Sequence, residues 1–256
     1  MSRISIGPAG SGGSGEEGFR KIKESGLDAV EIEFTYGIWM TPTQAKKIRE
    51  LNKKLNLKLS IHSPYYINLN SKEKAKIEAS KKRILKCCEI GDLVGAKYIV
   101  IHLGYYSGME REEAYKNMKI QILELQKEIK KNKWNVILAP ETTGKQSQFG
   151  DLEDLIKLKK QTGCHLTVDF AHLKARYQGK LSYEEMAKKI KSLGYIHAHF
   201  AGIEYGEKGE KRHVLTPEKD IKELFKALKK HKINCTIINE SPDPLGDALK
   251  MKKLLK

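Results

Sequence analysis

The sequence lacks the features that mark membrane and secreted proteins. No apolar stretch among the 256 residues approaches the roughly 20 that span a bilayer. The N-terminal segment Met1–Ile6 is too short and too polar to form the apolar core of a signal peptide. Only four cysteines are present, and no pair has the two-residue spacing of a redox or zinc motif. We therefore expect a cytoplasmic protein with reduced thiols and no membrane partner.

Acidic residues are scarce relative to basic ones. The chain has 48 Lys and Arg against 32 Asp and Glu, which gives a formal net charge of +16. Such a charge attracts polyanions, including nucleic acid. A Lys- and Glu-rich surface of the kind found in heat-adapted proteins is also compatible with this composition. Charge alone therefore leaves nucleic-acid binding open, and the residues of the site must decide.

One pattern repeats along the whole chain: a short apolar run, then a longer amphipathic segment. The predicted strands are Arg3–Gly7, Asp28–Phe34, Lys58–Pro64, Tyr98–Gly104, Asn135–Glu141, His165–His172, Ile196–Gly202 and Asn234–Ser241. The predicted helices cover about residues 15–25, 42–56, 71–95, 110–132, 151–162, 182–193, 217–231 and 243–256. Eight alternating units without a linker predict an α/β fold, a single (β/α)8 TIM-barrel domain over residues 1–256. We expect it to be monomeric.

The one low-complexity stretch is the glycine-rich segment of residues 7–15, between the first strand and the first helix. In a barrel this segment lies at the C-terminal face, where backbone amides could approach a phosphate. A plain flexible loop has the same composition, so both interpretations stand.

Acids and histidines recur where the later strands end. Because strand ends of a TIM barrel converge on one mouth, these side chains are expected to meet. They are His62, His102, Glu141, Asp169, His172, His199 and Glu240, with His213 in the loop after strand seven. Imidazole and carboxylate groups are typical zinc ligands. Eight candidates exceed one four-coordinate ion, so we predict two or three zinc ions, with manganese as an alternative.

The remaining histidines have other positions. His165 begins strand six, at the opposite end of the barrel, and His231 ends a helix, so both are expected to be structural. His197 precedes His199 by two residues and can face the same side of its strand.

A cluster of cations at the mouth would suit phosphodiester hydrolysis, which requires an activated water and a neutralised phosphate.

Short motifs on these strands resemble a known family. They are His62-Ser63-Pro64-Tyr65-Tyr66-Ile67-Asn68-Leu69, His102-Leu103-Gly104, Glu141-Thr142-Thr143-Gly144, Asp169-Phe170-Ala171-His172, His199 and Glu240-Ser241-Pro242. In this order they resemble endonuclease IV, a metal-dependent abasic-site endonuclease, over essentially the whole chain. The resemblance implies zinc-dependent hydrolysis of double-stranded DNA 5′ to an abasic site, as in base excision repair. It gives catalytic roles to Glu141, Asp169 and Glu240, with Glu141 orienting the attacking hydroxide or accepting a proton.

The resemblance also implies ligands for three zinc ions. The three sets are His62, His102 and Glu141; Glu141, Asp169, His199 and Glu240; and His172 with His213. The family has an aspartate two residues before the histidine that corresponds to His213, but Lys211 stands there in this chain. Either Glu210 replaces that aspartate through a loop shift, which we favour, or the third ion is weaker or absent.

The family also inserts side chains into the duplex at the lesion. Tyr65 matches a tyrosine used in this way. The family's arginine-bearing loop after strand two is shorter here and has no arginine, so Tyr36, Ile38 or Trp39 could act as an apolar wedge. Ordinary packing at the barrel rim is the alternative for Trp39 and Tyr65.

Two other functions are compatible with the sequence. A sugar isomerase or epimerase of the xylose-isomerase-like superfamily needs one metal set, which four of the candidates supply: Glu141, Asp169, His199 and Glu240. The four additional histidines and the basic charge favour the endonuclease. A non-catalytic binder of damaged DNA that has lost one metal is the third hypothesis, because of Lys211.

Overall fold

The computed structural model describes residues 2–11 and 15–255. Residues 12–14 of the glycine-rich segment lie outside the described residues, so its two interpretations, phosphate contact and plain loop, both stay open. Within the described parts of the chain, no helix is both long enough and apolar enough to cross a membrane.

Strands and helices alternate along the chain. The strands are β1 (Ile4–Pro8), β2 (Ala29–Glu33), β3 (Lys58–His62), β4 (Tyr98–Ile101), β5 (Ile137–Pro140), β6 (Thr167–Asp169), β7 (Ile196–Phe200), β8 (Gly202–Gly206), β9 (Gly209–Val214) and β10 (Cys235–Asn239). The helices are α1 (Glu16–Glu24), α2 (Pro42–Leu55), α3 (Lys74–Val94), α4 (Arg111–Lys131), α5 (Leu152–Thr162), α6 (Phe170–Arg176), α7 (Tyr183–Ile190), α8 (Glu218–Lys230) and α9 (Pro244–Leu255).

Eight of the strands are parallel and form a closed barrel. They pair in two half-sheets, in the orders β1-β10-β7-β6 and β2-β3-β4-β5. The half-sheets meet at two junctions, which we call the two seams: β1 lies beside β2, where Ala9 pairs with Glu31, and β5 lies beside β6, where Glu141 pairs with Thr167. The predicted α/β TIM barrel is confirmed.

Local sequence explains why the helices form and how they face the strands. At the start of α2, Thr41 accepts a hydrogen bond from the backbone N–H of Gln44, and the Gln44 side chain accepts one from Thr41 N–H at 2.8 Å. This capping box satisfies two helix N–H groups. On α8, Ile221, Leu224 and Leu228 recur at three- and four-residue spacing and are buried, so one face of the helix packs on the barrel.

The local structure differs from the prediction at two places near the C-terminal mouth. Strand six was predicted over His165–His172, but β6 ends at Asp169 and α6 begins at the next residue. The Asp169 carboxylate accepts a hydrogen bond from the backbone N–H of His172 at 2.7 Å, which favours a helical turn over a longer strand. His213 was predicted in a loop, but it lies on β9 of an antiparallel hairpin with β8.

His165 lies near the N-terminal end of β6, as predicted, and has a structural environment. Its ring stacks on Tyr98, with the ring centroids 4.2 Å apart and the planes at 15°. Burial lowers the pKa of His165 to about 3, and the positive charges of Lys159, His197 and Lys97 act in the same direction. Folding therefore favours the neutral ring.

We expect acid to destabilise the protein partly through His165. Its pKa in the unfolded chain is about 6.5, so the stability that it contributes is complete above that pH and is lost as the pH falls toward 3. His165→Phe should therefore gain stability relative to the native chain between pH 7 and pH 4, which urea unfolding at several pH values measures. A difference independent of pH would contradict this. His231→Gln, which removes an imidazole hydrogen-bonded to Glu184, should not show that gain.

Candidate metal centre

The predicted ligands meet at the C-terminal mouth of the barrel. Within each of three overlapping groups, the ligand atoms lie within 4.8 Å of one another. The groups are His62, His102 and Glu141; Glu141, Asp169, His199 and Glu240; and Asp169, His172 and His213. Most of these residues line one cavity of about 400 Å³. The structure thus brings all eight predicted side chains together.

Glu141 lies at the centre and is fully buried. Its Oε2 is 2.9 Å from Nε2 of His102 and 3.1 Å from Nε2 of His62. Its Oε1 is 3.1 Å from Nδ1 of His172 and 3.2 Å from Nδ1 of His199. The two oxygens therefore face different groups, which is the arrangement that a bridging carboxylate requires.

Backbone carbonyls orient three of the histidines. Nδ1 of His62, His172 and His213 lies 2.8, 2.9 and 3.0 Å from a carbonyl oxygen, those of Ser63, Thr142 and Glu240 respectively. Because a carbonyl oxygen can only accept a hydrogen bond, each Nδ1 must carry the hydrogen. The lone pair of the neutral ring is then on Nε2. Such outer hydrogen bonds orient metal-binding histidines and make them better ligands.

The charges of the cluster fit divalent cations. A neutral imidazole nitrogen that faces a carboxylate oxygen needs a proton or a cation between them. Burial alone would lower the pKa of His62, but the hydrogen bond to Glu141 and the charge of Glu33 raise it to about 10. Oδ2 of Asp169 is buried without a hydrogen-bond partner, and burial raises the pKa of that carboxyl. The residues present therefore fit metal ions, which would replace the protons.

A β-bulge decides which residue of the hairpin faces the cluster. The register shifts beside Glu204 and Tyr205, so that Glu204 pairs with Arg212 and Tyr205 pairs with Glu210. Lys211 is the extra residue on β9. A bulge inserts one extra residue into its strand and so shifts the alternation of side chains beyond it. Glu210 therefore lies on the face of β9 on which residue 211 would lie in a regular strand.

Glu210 accordingly lies beside the third group, as the loop-shift hypothesis expected. Its Oε2 is 3.6 Å from Nε2 of His172, and Nε2 of His213 is 3.3 Å from that same nitrogen. Gly144 leaves the space for this approach, since a Cβ there would lie 2.6 Å from the Cβ of Glu210. Lys211 is exposed. The geometry makes Glu210 a candidate fourth ligand of this group, beside Asp169, His172 and His213.

Replacing Glu210 should weaken one ion site. We expect Glu210→Ala to retain less divalent metal than the native chain, because Asp169, His172 and His213 would then hold the ion with three protein ligands instead of four. Lys211→Ala, one residue away and exposed, should keep the native metal content. Elemental analysis after dialysis against a weak chelator measures both. Equal zinc contents in the two variants would show that Glu210 is not a ligand.

Exposed aromatic side chains surround the mouth. Tyr65, predicted as a wedge, is 56% exposed, and its ring centroid is 5.7 Å from that of His62. Tyr36 and Trp39 follow β2 and are also exposed, although Trp39 donates a hydrogen bond to the backbone oxygen of Glu33 at 2.8 Å. Sequence reasoning missed two more, which follow β3 and β4: Tyr66 and Tyr105. These flat rings are suited to stack on bases or sugars.

Three charged residues of the mouth and lumen were also missed. Lys145 lines the cavity beside the ligands. Glu31 and Glu33 lie on β2, and Glu31 is buried against His199, whose Nε2 is 2.8 Å from its Oε1. Two acids at alternate positions of an apolar strand were the signal that could have found them, because alternate residues face the same side.

Comparison with known proteins places these features in one family. The pattern of the xylose isomerase-like TIM barrel family matches residues 19–256. An uncharacterized protein of Methanocaldococcus jannaschii is 35% identical over 97% of this chain and 95% of its own length. A probable endonuclease 4 of Mesomycoplasma hyopneumoniae is 30% identical, but the match spans 53% of this chain and 49% of that protein.

Solved structures with the same fold include two kinds of enzyme. A D-tagatose 3-epimerase-like protein superposes with a TM-score of 0.73 at 20% identity, over 100% of this chain and 96% of that one. Endonuclease IV from Thermus thermophilus superposes with a TM-score of 0.69 at 19% identity, over 98% and 97%. At these identities the likeness shows the fold alone. The match over residues 19–256 shows that the chain belongs to the xylose isomerase-like TIM barrel family.

Proposed function

We propose that this protein is a metal-dependent endonuclease of the endonuclease IV type, which hydrolyses double-stranded DNA 5′ to an abasic site. Zinc is the proposed metal, and manganese is the alternative. One observation carries the proposal: three overlapping ligand groups at one mouth, rather than a single group. A sugar epimerase needs only the four-residue group, so the additional histidines would have no chemical task in it.

The residues of the mouth can be given roles. Bound divalent ions supply the positive charge that activates water and neutralises a phosphate. Glu141 holds the first and second groups together through its two oxygens. Asp169 belongs to both the second and the third groups and would join them, while Glu141 would also orient the attacking water or accept its proton. Glu240 lies 3.0 Å from Nδ1 of His199 and completes the second group. Lys145 can contact a phosphate at the wall.

The mouth also has a surface for the duplex. Exposed aromatic side chains follow three neighbouring strands, β2, β3 and β4. Bases stack on such rings with about 1–3 kcal/mol each. The net charge of +16 adds the sequence-independent attraction to phosphates. Both features support DNA as the partner.

A sugar epimerase is the second candidate, and Glu33 favours it. Burial raises the pKa of Glu33 to about 8, against the opposing charge of His62. Its Oε1 is buried without a hydrogen-bond partner. A carboxyl group that titrates near neutral pH suits proton transfer at a carbon next to a carbonyl.

One assay separates the two functions. We expect the zinc- or manganese-loaded protein to nick a duplex with one abasic site, to leave a 3′-hydroxyl, and to spare the same duplex without the lesion. Affinity should fall steeply as salt rises from 50 to about 200 mM. A panel of ketoses and aldoses is incubated with the same protein. If the abasic duplex stays intact while a sugar is interconverted, the protein is an epimerase and our proposal is wrong.

A further inference from the structure

His199 is held differently from the other histidines of the centre. Its Nδ1 faces the second group, 3.2 Å from Oε1 of Glu141 and 3.0 Å from Oε1 of Glu240. Its Nε2 points away from the mouth, toward the barrel lumen and Glu31. The Nδ1 atoms of His62 and His213 lie closest to a neutral backbone carbonyl, whereas Nε2 of His199 lies against a carboxylate.

Glu31 is fixed between two histidines. Its Oε1 lies at the ion-pair distance of 2.8 Å from Nε2 of His199, and neither of these two buried atoms makes a hydrogen bond among the described residues. Its Oε2 lies 2.8 Å from Nε2 of His197. Glu31 and His199 are 0% exposed and His197 is 2% exposed. A carboxylate in the lumen thus connects the second ligand group to a further buried imidazole.

We propose that Glu31 is a positioning residue of the metal centre: it orients His199, strengthens its Nδ1 as a ligand of the second group, and is itself held by His197. This proposal rests on the metal centre of the proposed function, but not on DNA as the substrate. A carboxylate beside the non-ligating nitrogen holds the ring in one orientation and makes the other nitrogen more basic. His62 and His213 receive mainly the orientation from their carbonyl partners, because a carbonyl carries no net charge.

The position of Glu31 explains why a buried acid is retained there. An ionised carboxylate in a barrel lumen loses its hydration, and this loss is compensated only by close partners. Both oxygens of Glu31 have such a partner. Replacing it with glutamine keeps the size and one acceptor but removes the charge, so the effect of charge on the metal can be measured apart from packing.

Binding of Co²⁺ tests the proposal without any substrate. We expect Glu31→Gln to lower the affinity for one cobalt ion by about 10–100-fold and to shift the visible absorption of the loaded protein. Asp154→Asn is the matched control: it also neutralises a buried acid, one that accepts hydrogen bonds from Arg111 outside the ligand groups, and it should keep the native affinity and spectrum. His197→Gln should weaken the same ion by a smaller factor.

Each outcome of the cobalt experiment either supports or overturns the role of Glu31. Native affinity and an unchanged cobalt spectrum in Glu31→Gln overturn the proposal, even if the variant melts at a lower temperature. If Glu31→Gln fails to fold, the spectrum of His197→Gln decides instead, and an unchanged one overturns the proposal. A native chain that binds no cobalt overturns it together with the proposed centre. A native chain that binds three ions but leaves an abasic duplex intact contradicts only the proposed function.

Discussion

Glu141→Gln should abolish most of the cleavage of abasic DNA. Glutamine keeps the size of the side chain but offers one oxygen and no charge to groups that Glu141 now joins through both oxygens. Charge stabilisation by bound metals is worth several kcal/mol, and each ~1.4 kcal/mol is a factor of ten in rate. We therefore expect cleavage to fall by about a thousandfold or more, measured by single-turnover nicking of a labelled abasic duplex.

The metal content distinguishes this loss from unfolding. Glu141→Gln should bind at least one zinc ion fewer than the native protein while keeping its far-ultraviolet circular dichroism. Glu204→Gln is the control, because Glu204 pairs with Arg212 on the exposed hairpin outside the ligand groups; it should keep both zinc and activity. Native zinc content and native nicking in Glu141→Gln would contradict the bridging role.

Tyr65→Ala should weaken binding to abasic DNA by about tenfold or more. The ring is 56% exposed beside the ligands, where it can fill the gap that a missing base leaves in the stack. Stacking is worth about 1–3 kcal/mol, and ~1.4 kcal/mol is a factor of ten in affinity. Fluorescence anisotropy with abasic and intact duplexes measures the effect.

The conservative variant separates stacking from other roles of this tyrosine. Partial burial and the nearby acids raise the pKa of Tyr65, so the hydroxyl is neutral and Tyr65→Phe should bind as the native protein does. Zinc content and thermal stability should hardly change in either variant. A large loss of stability would indicate rim packing. An equal loss of affinity for both duplexes would also contradict a wedge, since a wedge must discriminate.

The fold was predictable because its pattern is repeated eight times. Buried parallel strands are almost continuously apolar, as in Tyr98–Ile101, and each is followed by a helix with one apolar face. The convergence of the ligands follows from that topology alone. His62, His102 and Glu141 come from three neighbouring strands and needed no knowledge of side-chain contacts.

The parts that were missed depend on local geometry. The helical turn after Asp169 is set by one capping hydrogen bond, which an apolar run of sequence does not reveal. Glu210 was predicted as a ligand, but the bulge at Lys211 that determines its side of the strand was not, because a bulge has no reliable sequence pattern. Glu31 was not predicted because its carboxylate lies within the lumen, whereas the predicted ligands lie at the ends of the strands.

The predicted ligands of the metal centre come from both half-sheets of the barrel. One half-sheet supplies His62 and His102, the other supplies His199, and Glu141 stands where β5 meets β6. Ions bound among these residues would tie together segments about a hundred residues apart in the chain. They would act as a reversible cross-link that is absent from the unfolded chain and that stabilises the native one by mass action. Assembly of the reactive mouth and completion of the barrel would then be a single event.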